Sequence, residues 1–172
     1  MNRYVLTLSA VLFLCACALP AQTSNPLSTE TKQAYNRVKN NLLKAAENTP
    51  EADYSFKPTP DIRTLGELIG HVADAQMGTC STVNGEAKRG GASSKTSKAD
   101  LVAAMQAAIA ECDKAYDSLT DANATEMIKF RRGEQTRLGI LTGNTIHDNE
   151  EYGYLAVYLR LKGLVPPSSQ RR

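Results

Sequence analysis

The chain contains two histidines, His71 and His147, so every position where an imidazole could act as ligand, base or acid can be inspected. His147 is followed four residues later by Glu151, and residues so spaced stand on one face of a helix. An imidazole and a carboxylate one turn apart, joined by a third ligand from a facing helix, could chelate a divalent ion and leave coordination positions open. The same spacing is also that of a solvated ion pair, and spacing alone leaves both readings standing. Asp74, three residues after His71, could hydrogen-bond that ring and fix its tautomer, or could be a solvated helix-face acid. Asp148 and Glu150 are the additional acids that could serve as a general base. Tyr152, Tyr154 and Tyr158 could line a pocket or simply pack. Arg131, Arg132 and Arg137 form a local cluster that could hold an anion or be a solvated loop.

Helices must position these groups. Ser28 can cap a first helix running to about Glu47, where Asn48-Thr49-Pro50 stops it. Pro50 to Asp61 carries three prolines and reads as a connection. A second helix follows Thr64, with Leu65, Leu68, Ile69, Val72, Gln76, Thr79 and Cys80 at helical spacing, and ends near Gly85. Gly85 to Ser97, rich in Gly, Ser and Lys, has the composition of a mobile surface loop. Ser97-Lys98-Ala99-Asp100 is a capping-box variant before an alanine-rich third helix to Leu119. Asp121 to Arg137 mixes helix formers with Arg131-Arg132-Gly133 and is read only as a crossing segment. The fourth helix spans about Arg137 to Lys162, ended by Gly163 and Pro166-Pro167. With no alternating strand pattern and no internal repeat, the fold class is all-α, a four-helix bundle.

The N-terminus predicts export. Arg3 supplies a positive region, Val5 to Leu14 an apolar run, and small residues follow, the order of a signal peptide. The run is too short to span a bilayer, which takes roughly 20 residues. Leu19-Pro20-Ala21 suits ordinary cleavage, giving a signal peptide over 1–21, a linker over 22–27 and a domain over 28–172. Leu14-Cys15-Ala16-Cys17 also resembles a lipoprotein box, which would anchor the protein at the membrane through lipidated Cys17; Cys15 is an odd residue within such a box. The expectation is a periplasmic or secreted protein, with the membrane a partner only if Cys17 is lipidated. Cleavage removes one of the 20 basic residues, Arg3, and none of the 18 acidic ones, so the formal charge falls from +2 to about +1. That leaves no broad basic footprint for nucleic acid. Of the four cysteines, Cys80 and Cys112 survive cleavage, and an even pair in an oxidising compartment invites a disulfide, with two buried thiols as the alternative.

The run from His147-Asp148-Asn149-Glu150-Glu151-Tyr152-Gly153 through Tyr158 to Ser169 resembles the last helix of the DinB/YfiT-like superfamily. Phe56-Lys57-Pro58-Thr59-Pro60, Leu65-Gly66-Glu67-Leu68, His71-Val72-Ala73-Asp74-Ala75-Gln76 and Arg137-Leu138-Gly139-Ile140-Leu141 leading to Asn144 extend the match over essentially the whole mature chain. The resemblance implies an up-down-down-up four-helix bundle, commonly a homodimer, holding a metal through three histidines, one on the second helix and two on the last. His71 and His147 match two of those positions; Glu151 stands where the third histidine would be. The candidate ligand set is therefore His71, His147 and Glu151, for zinc, nickel, iron or manganese.

Two functions compete. One is a metal-dependent hydrolase or transferase acting on a small molecule. Some relatives resemble transferases that use low-molecular-weight bacterial thiols, and because those thiols are chiefly intracellular, export counts against that branch. The other is a non-enzymatic envelope protein that binds a small molecule or a partner, its metal site degenerate through loss of the third histidine.

Overall fold

Four capped helices form, in a computed structural model that describes residues 24–170. The expected signal peptide 1–21, the alternative lipidation site Cys17 and linker residues 22 and 23 lie outside the described residues. Helix α1 spans Pro26–Asn48, α2 Leu65–Val83, α3 Lys98–Asp117 and α4 Arg137–Leu161. Thr64 opens α2 with a full capping box, its hydroxyl accepting from the Glu67 amide while the Glu67 carboxylate accepts from Thr64. Ser97 caps α3 by accepting from the Asp100 amide, and Gly163, at φ +75°, closes α4 with the Leu164 amide donating back to the Leu159 carbonyl at 2.8 Å.

Three expectations are corrected. Helix α1 begins at Pro26, two residues before Ser28, because its end is capped from elsewhere: Asp121 accepts from the Leu27 and Ser28 amides at 3.1 and 2.8 Å. The segment read as a mobile loop is pinned at its middle. Ala92 is buried there, and its carbonyl lies about as close to Gly70 as a Cβ would allow. The crossing segment also holds an antiparallel hairpin, β1 Met127–Phe130 paired with β2 Gly133–Thr136, so the bundle is not purely helical. The hairpin's two-residue loop places Arg131 at φ +54°, in the left-handed region where a side chain costs about 1 to 2 kcal/mol and where such turns normally use glycine.

The helix directions are fixed by side-chain pairs. Lys32 pairs with Asp117, and Gln106 donates to Glu47 at 3.1 Å, so α1 and α3 are antiparallel. Leu101 lies against Gly66 and Cys80 against Cys112, so α2 and α3 run together. Tyr158 at the end of α4 donates to the Arg63 carbonyl just before α2, while His147 meets His71 further along, so α2 and α4 are antiparallel. The order is up-down-down-up.

Cys80 and Cys112 are joined in a disulfide, their Cα atoms 4.8 Å apart and 32 residues separated. The bridge lies in one of two apolar clusters, with Tyr35 stacked on Tyr116 at 3.8 Å between centroids, Val83, Ile140 and Leu141. The larger cluster, built on Leu42, Leu65, Ile69, Val72, Leu101, Met105 and Leu155, fills the opposite end. Each such fully buried side chain contributes roughly 1.5 to 3 kcal/mol. Between the clusters, on α2 and α4, the buried stripe turns polar at Gln76, Asn144, Thr145, Asp148 and Glu151.

Candidate metal centre

The polar layer carries the site. Helix α4 places Asn144, His147, Asp148 and Glu151 within two turns, and α2 brings His71 and Gln76 opposite them. His71 Nε2 and His147 Nε2 are 3.2 Å apart, His71 Nε2 and Glu151 Oε1 3.4 Å, and His147 Nε2 and Glu151 Oε1 3.5 Å. One nitrogen of each imidazole and one carboxylate oxygen thus form a nearly equilateral triangle. Among the described residues these three are the group able to hold an ion. About a third of each histidine side chain is exposed, 32 and 31%, while Glu151 shows 10%. The set is therefore anchored in the interior and open on one side.

The donor set fits a metal on two observations. The three donor atoms lie 3.2 to 3.5 Å from one another, close enough for one ion to touch all three. In addition, Glu151 Oε2 is buried without a hydrogen-bond partner. An unsatisfied buried acceptor costs about 1 to 3 kcal/mol, more when charged, and a bound cation offsets that cost.

The surroundings act on the two imidazoles in opposite directions. Burial pushes the His71 pKa down, reinforced by the Arg63 charge and opposed by Glu151. Asp148 holds the His147 pKa up, against the effect of burial. Asp148 itself is fully buried, and burial raises its pKa. It accepts from Gln76 Nε2 at 3.0 Å and Asn144 Nδ2 at 3.1 Å, and its other oxygen lies 3.7 Å from His147 Nδ1. A carboxylate on that side favours the proton on Nδ1, leaving the Nε2 lone pair facing the triangle.

Asp148, not Asp74, is the acid beside a ligand ring, although at 3.7 Å from His147 Nδ1 its Oδ1 accepts no hydrogen bond from it. Asp74 is turned toward the pinned loop, where it accepts from the Ala92 amide at 2.6 Å, the Ser93 amide at 2.9 Å and the Ser93 hydroxyl at 2.6 Å. The structure shows no hydrogen bond from Asp74 to the His71 ring. Sequence reasoning also passed over Gln76 and Asn144. The available signal was a run of polar residues at Asn144, Asp148 and Glu151, where the inward stripe of a bundle helix should be apolar. Glu150, the other acid considered, is exposed and accepts from Tyr154 at 3.4 Å. Of the tyrosines, Tyr152 is buried against Ser168, whereas Tyr154 and Tyr158 do line a cavity.

Two cavities flank the cluster. One, of about 570 Å³, has Glu151, Arg63, Tyr154 and Tyr158 in its walls. The other, of about 380 Å³, has His71 and His147 on one side and the hairpin on the other.

Residues 34–155 match the model of the DinB superfamily. The chain belongs to that family. The fold of this DinB protein is shared by a DinB-like protein from Bacillus cereus, at 17% identity and a TM-score of 0.68, covering 81% of this chain and 95% of the other. A DinB-like protein from Bacillus subtilis agrees at 20% identity and 0.66, covering 83 and 99%. A conserved protein from Enterococcus faecalis agrees at 13% and 0.56, covering 77 and 96%. No curated protein sequence matches this DinB chain.

Proposed function

We propose that this protein is an exported metal-dependent enzyme, a hydrolase or transferase of a small molecule, with zinc the divalent ion that best suits its ligands. The triangle of His71 Nε2, His147 Nε2 and Glu151 Oε1, with edges of 3.2 to 3.5 Å, carries this reading. A divalent ion on three protein ligands keeps a position open and supplies a Lewis acid at which water or another nucleophile is activated near neutral pH. The chain's own residues do the positioning. Gln76 and Asn144 hold Asp148 beside His147, whose Nδ1 lies 3.7 Å from the Asp148 carboxylate, and burial lowers the His71 pKa, which favours its neutral form. The cavities on either side give a small molecule access. The Cys80–Cys112 bridge supports export, because such bonds persist in oxidising compartments.

The test is elemental analysis of the native protein, purified from its own envelope fraction without chelators or an affinity tag. The proposal expects close to one divalent ion per chain and a mature N-terminus at Gln22. Absence of any divalent ion at near-stoichiometric level would contradict the enzyme reading and favour a metal-free binding protein. Retention of Met1 would contradict export, and acyl mass on Cys17 would replace a free mature protein with an anchored one.

A further inference from the structure

We propose that the cavity between α2, α4 and the hairpin binds a small organic monoanion, and that Arg131 recognises its carboxylate. The inference deepens the metal reading, on which it rests for taking this cavity as the substrate's. Its walls combine His71 and Thr79 of α2, His147 and Glu150 of α4, and Phe130 and Arg131 of the hairpin. At about 380 Å³ it lies within the range of small-molecule sites, which pair apolar walls with a few placed polar groups.

The three arginines singled out in the sequence part company here. Arg137 is engaged, donating to Glu126 at 2.8 and 2.9 Å and to the Val83 carbonyl at 3.3 Å. Arg132 is not among the cavity-lining residues. Arg131 lines the cavity and sits with its guanidinium carbon 5.3 Å from the Phe130 ring centroid, a contact that steers the cation without occupying its N–H donors. Among the described residues, no hydrogen bond or ion pair engages it. Its backbone is held at φ +54°, at the loop position where glycine would be relaxed. A strained residue that presents an unengaged cation to a cavity is the pattern expected of a site residue, where strain is retained for function.

Charge and shape narrow the ligand. Glu150 shares the wall, so a dianion such as a phosphate ester meets about twice the repulsion that a monoanion meets. The planar guanidinium fork matches a carboxylate bidentately. Phe130 and Ile140 give apolar surface for the rest of the molecule in the cavity that the two histidines also line.

Benzoate, with benzamide as its neutral counterpart, tests the proposal by calorimetric titration of the full mature chain, both metal-free and zinc-loaded. Wild type should prefer benzoate by about tenfold or more, the factor that a charge-assisted hydrogen bond supplies. Arg131→Gln should erase that preference, and Glu150→Gln should tighten benzoate severalfold. Arg131→Gly should lose the preference yet melt no lower than wild type, which separates loss of recognition from loss of fold. Equal binding of benzoate by wild type and Arg131→Gln, equal binding of benzoate and benzamide, or no benzoate binding by wild type would each overturn the assignment. Zinc titration of the same samples keeps the two readings apart. If zinc binds while benzoate ignores Arg131, the anion site is wrong and the metal centre stands; if benzoate depends on Arg131 while zinc does not bind, the reverse holds.

Discussion

The two halves of the buried interior are built on opposite principles. At the end holding Tyr35, Tyr116 and Ile140, the disulfide between Cys80 and Cys112 ties α2 to α3. The buried hydroxyls there are engaged: Tyr116 donates to the Leu141 carbonyl at 2.7 Å, and Tyr35 reaches Asp113 at 3.0 Å. One or two turns further along α2 and α4, the interior becomes polar and incompletely satisfied. Gln76 Oε1, Asn144 Oδ1, Asp148 Oδ1 and Glu151 Oε2 are the buried side-chain atoms without partners among the described residues. A bundle of this size could fill that layer with leucine. That it holds acids and amides beside two cavities sets the candidate site apart from the cross-linked apolar end, the pattern the proposed function expects.

This contrast is sharpest under mutation of the rigid end. Cys80→Ser with Cys112→Ser, or reduction of the bridge, should destabilise the fold by about 3 to 4 kcal/mol in urea titration, yet leave zinc affinity within a few fold at temperatures where the variant stays folded. A collapse of zinc affinity in the folded variant would show that the two regions are not separable. In the polar layer the expected order inverts. Asp148→Asn, which keeps shape and removes the charge behind His147, should lower zinc affinity by about 10- to 100-fold with a smaller change in the urea midpoint. Unchanged affinity would remove Asp148 from its supporting role.

A smaller effect concerns Asp74, which serves the scaffold instead of the site. Burial alone would raise its pKa, but hydrogen bonds from the Ser93 side chain and amide, and from the Ala92 and Gly91 amides, outweigh this and lower it below the ordinary value. A group whose folded pKa is depressed stabilises the protein fully above its unfolded value, near 3.9, and ceases to do so as pH falls through the lower folded value. Because the group is only partly buried, Asp74→Asn should cost roughly 1 kcal/mol at pH 7, and that difference should vanish on acidification. Zinc affinity should not move. A pH-independent difference would show that the loop is held by something other than the carboxylate.

The helices were legible because their signals are local. The Thr64–Glu67 box, the Ser97 cap, the Gly163 stop and the apolar spacing each lie within a few residues of what they determine. The start of α1 was misplaced because Asp121, more than ninety residues away, satisfies its amides. The hairpin was missed because its strands are four residues each and largely exposed, too short and too polar for a period-two pattern to emerge. The His147–Glu151 spacing was readable from helix geometry and His71 from the family resemblance. Asp148, Gln76 and Asn144 were not, since their roles depend on which faces of α2 and α4 meet. Asp74 had the right spacing for His71 but the wrong direction, toward a loop whose path the sequence does not reveal.

The central claim is that Glu151 completes a three-ligand centre with His71 and His147. Calorimetric zinc titration of wild type, Glu151→Ala and Glu151→His, with melting measured on the same samples, tests it most directly. Wild type should bind one zinc per chain and melt higher in its presence, since a ligand bound only by the native state adds about 2.7 kcal/mol at a hundredfold excess over Kd. Glu151→Ala should lose both responses, and Glu151→His should keep them. Equal zinc affinity in wild type and Glu151→Ala, or binding by Glu151→His alone, would contradict the account.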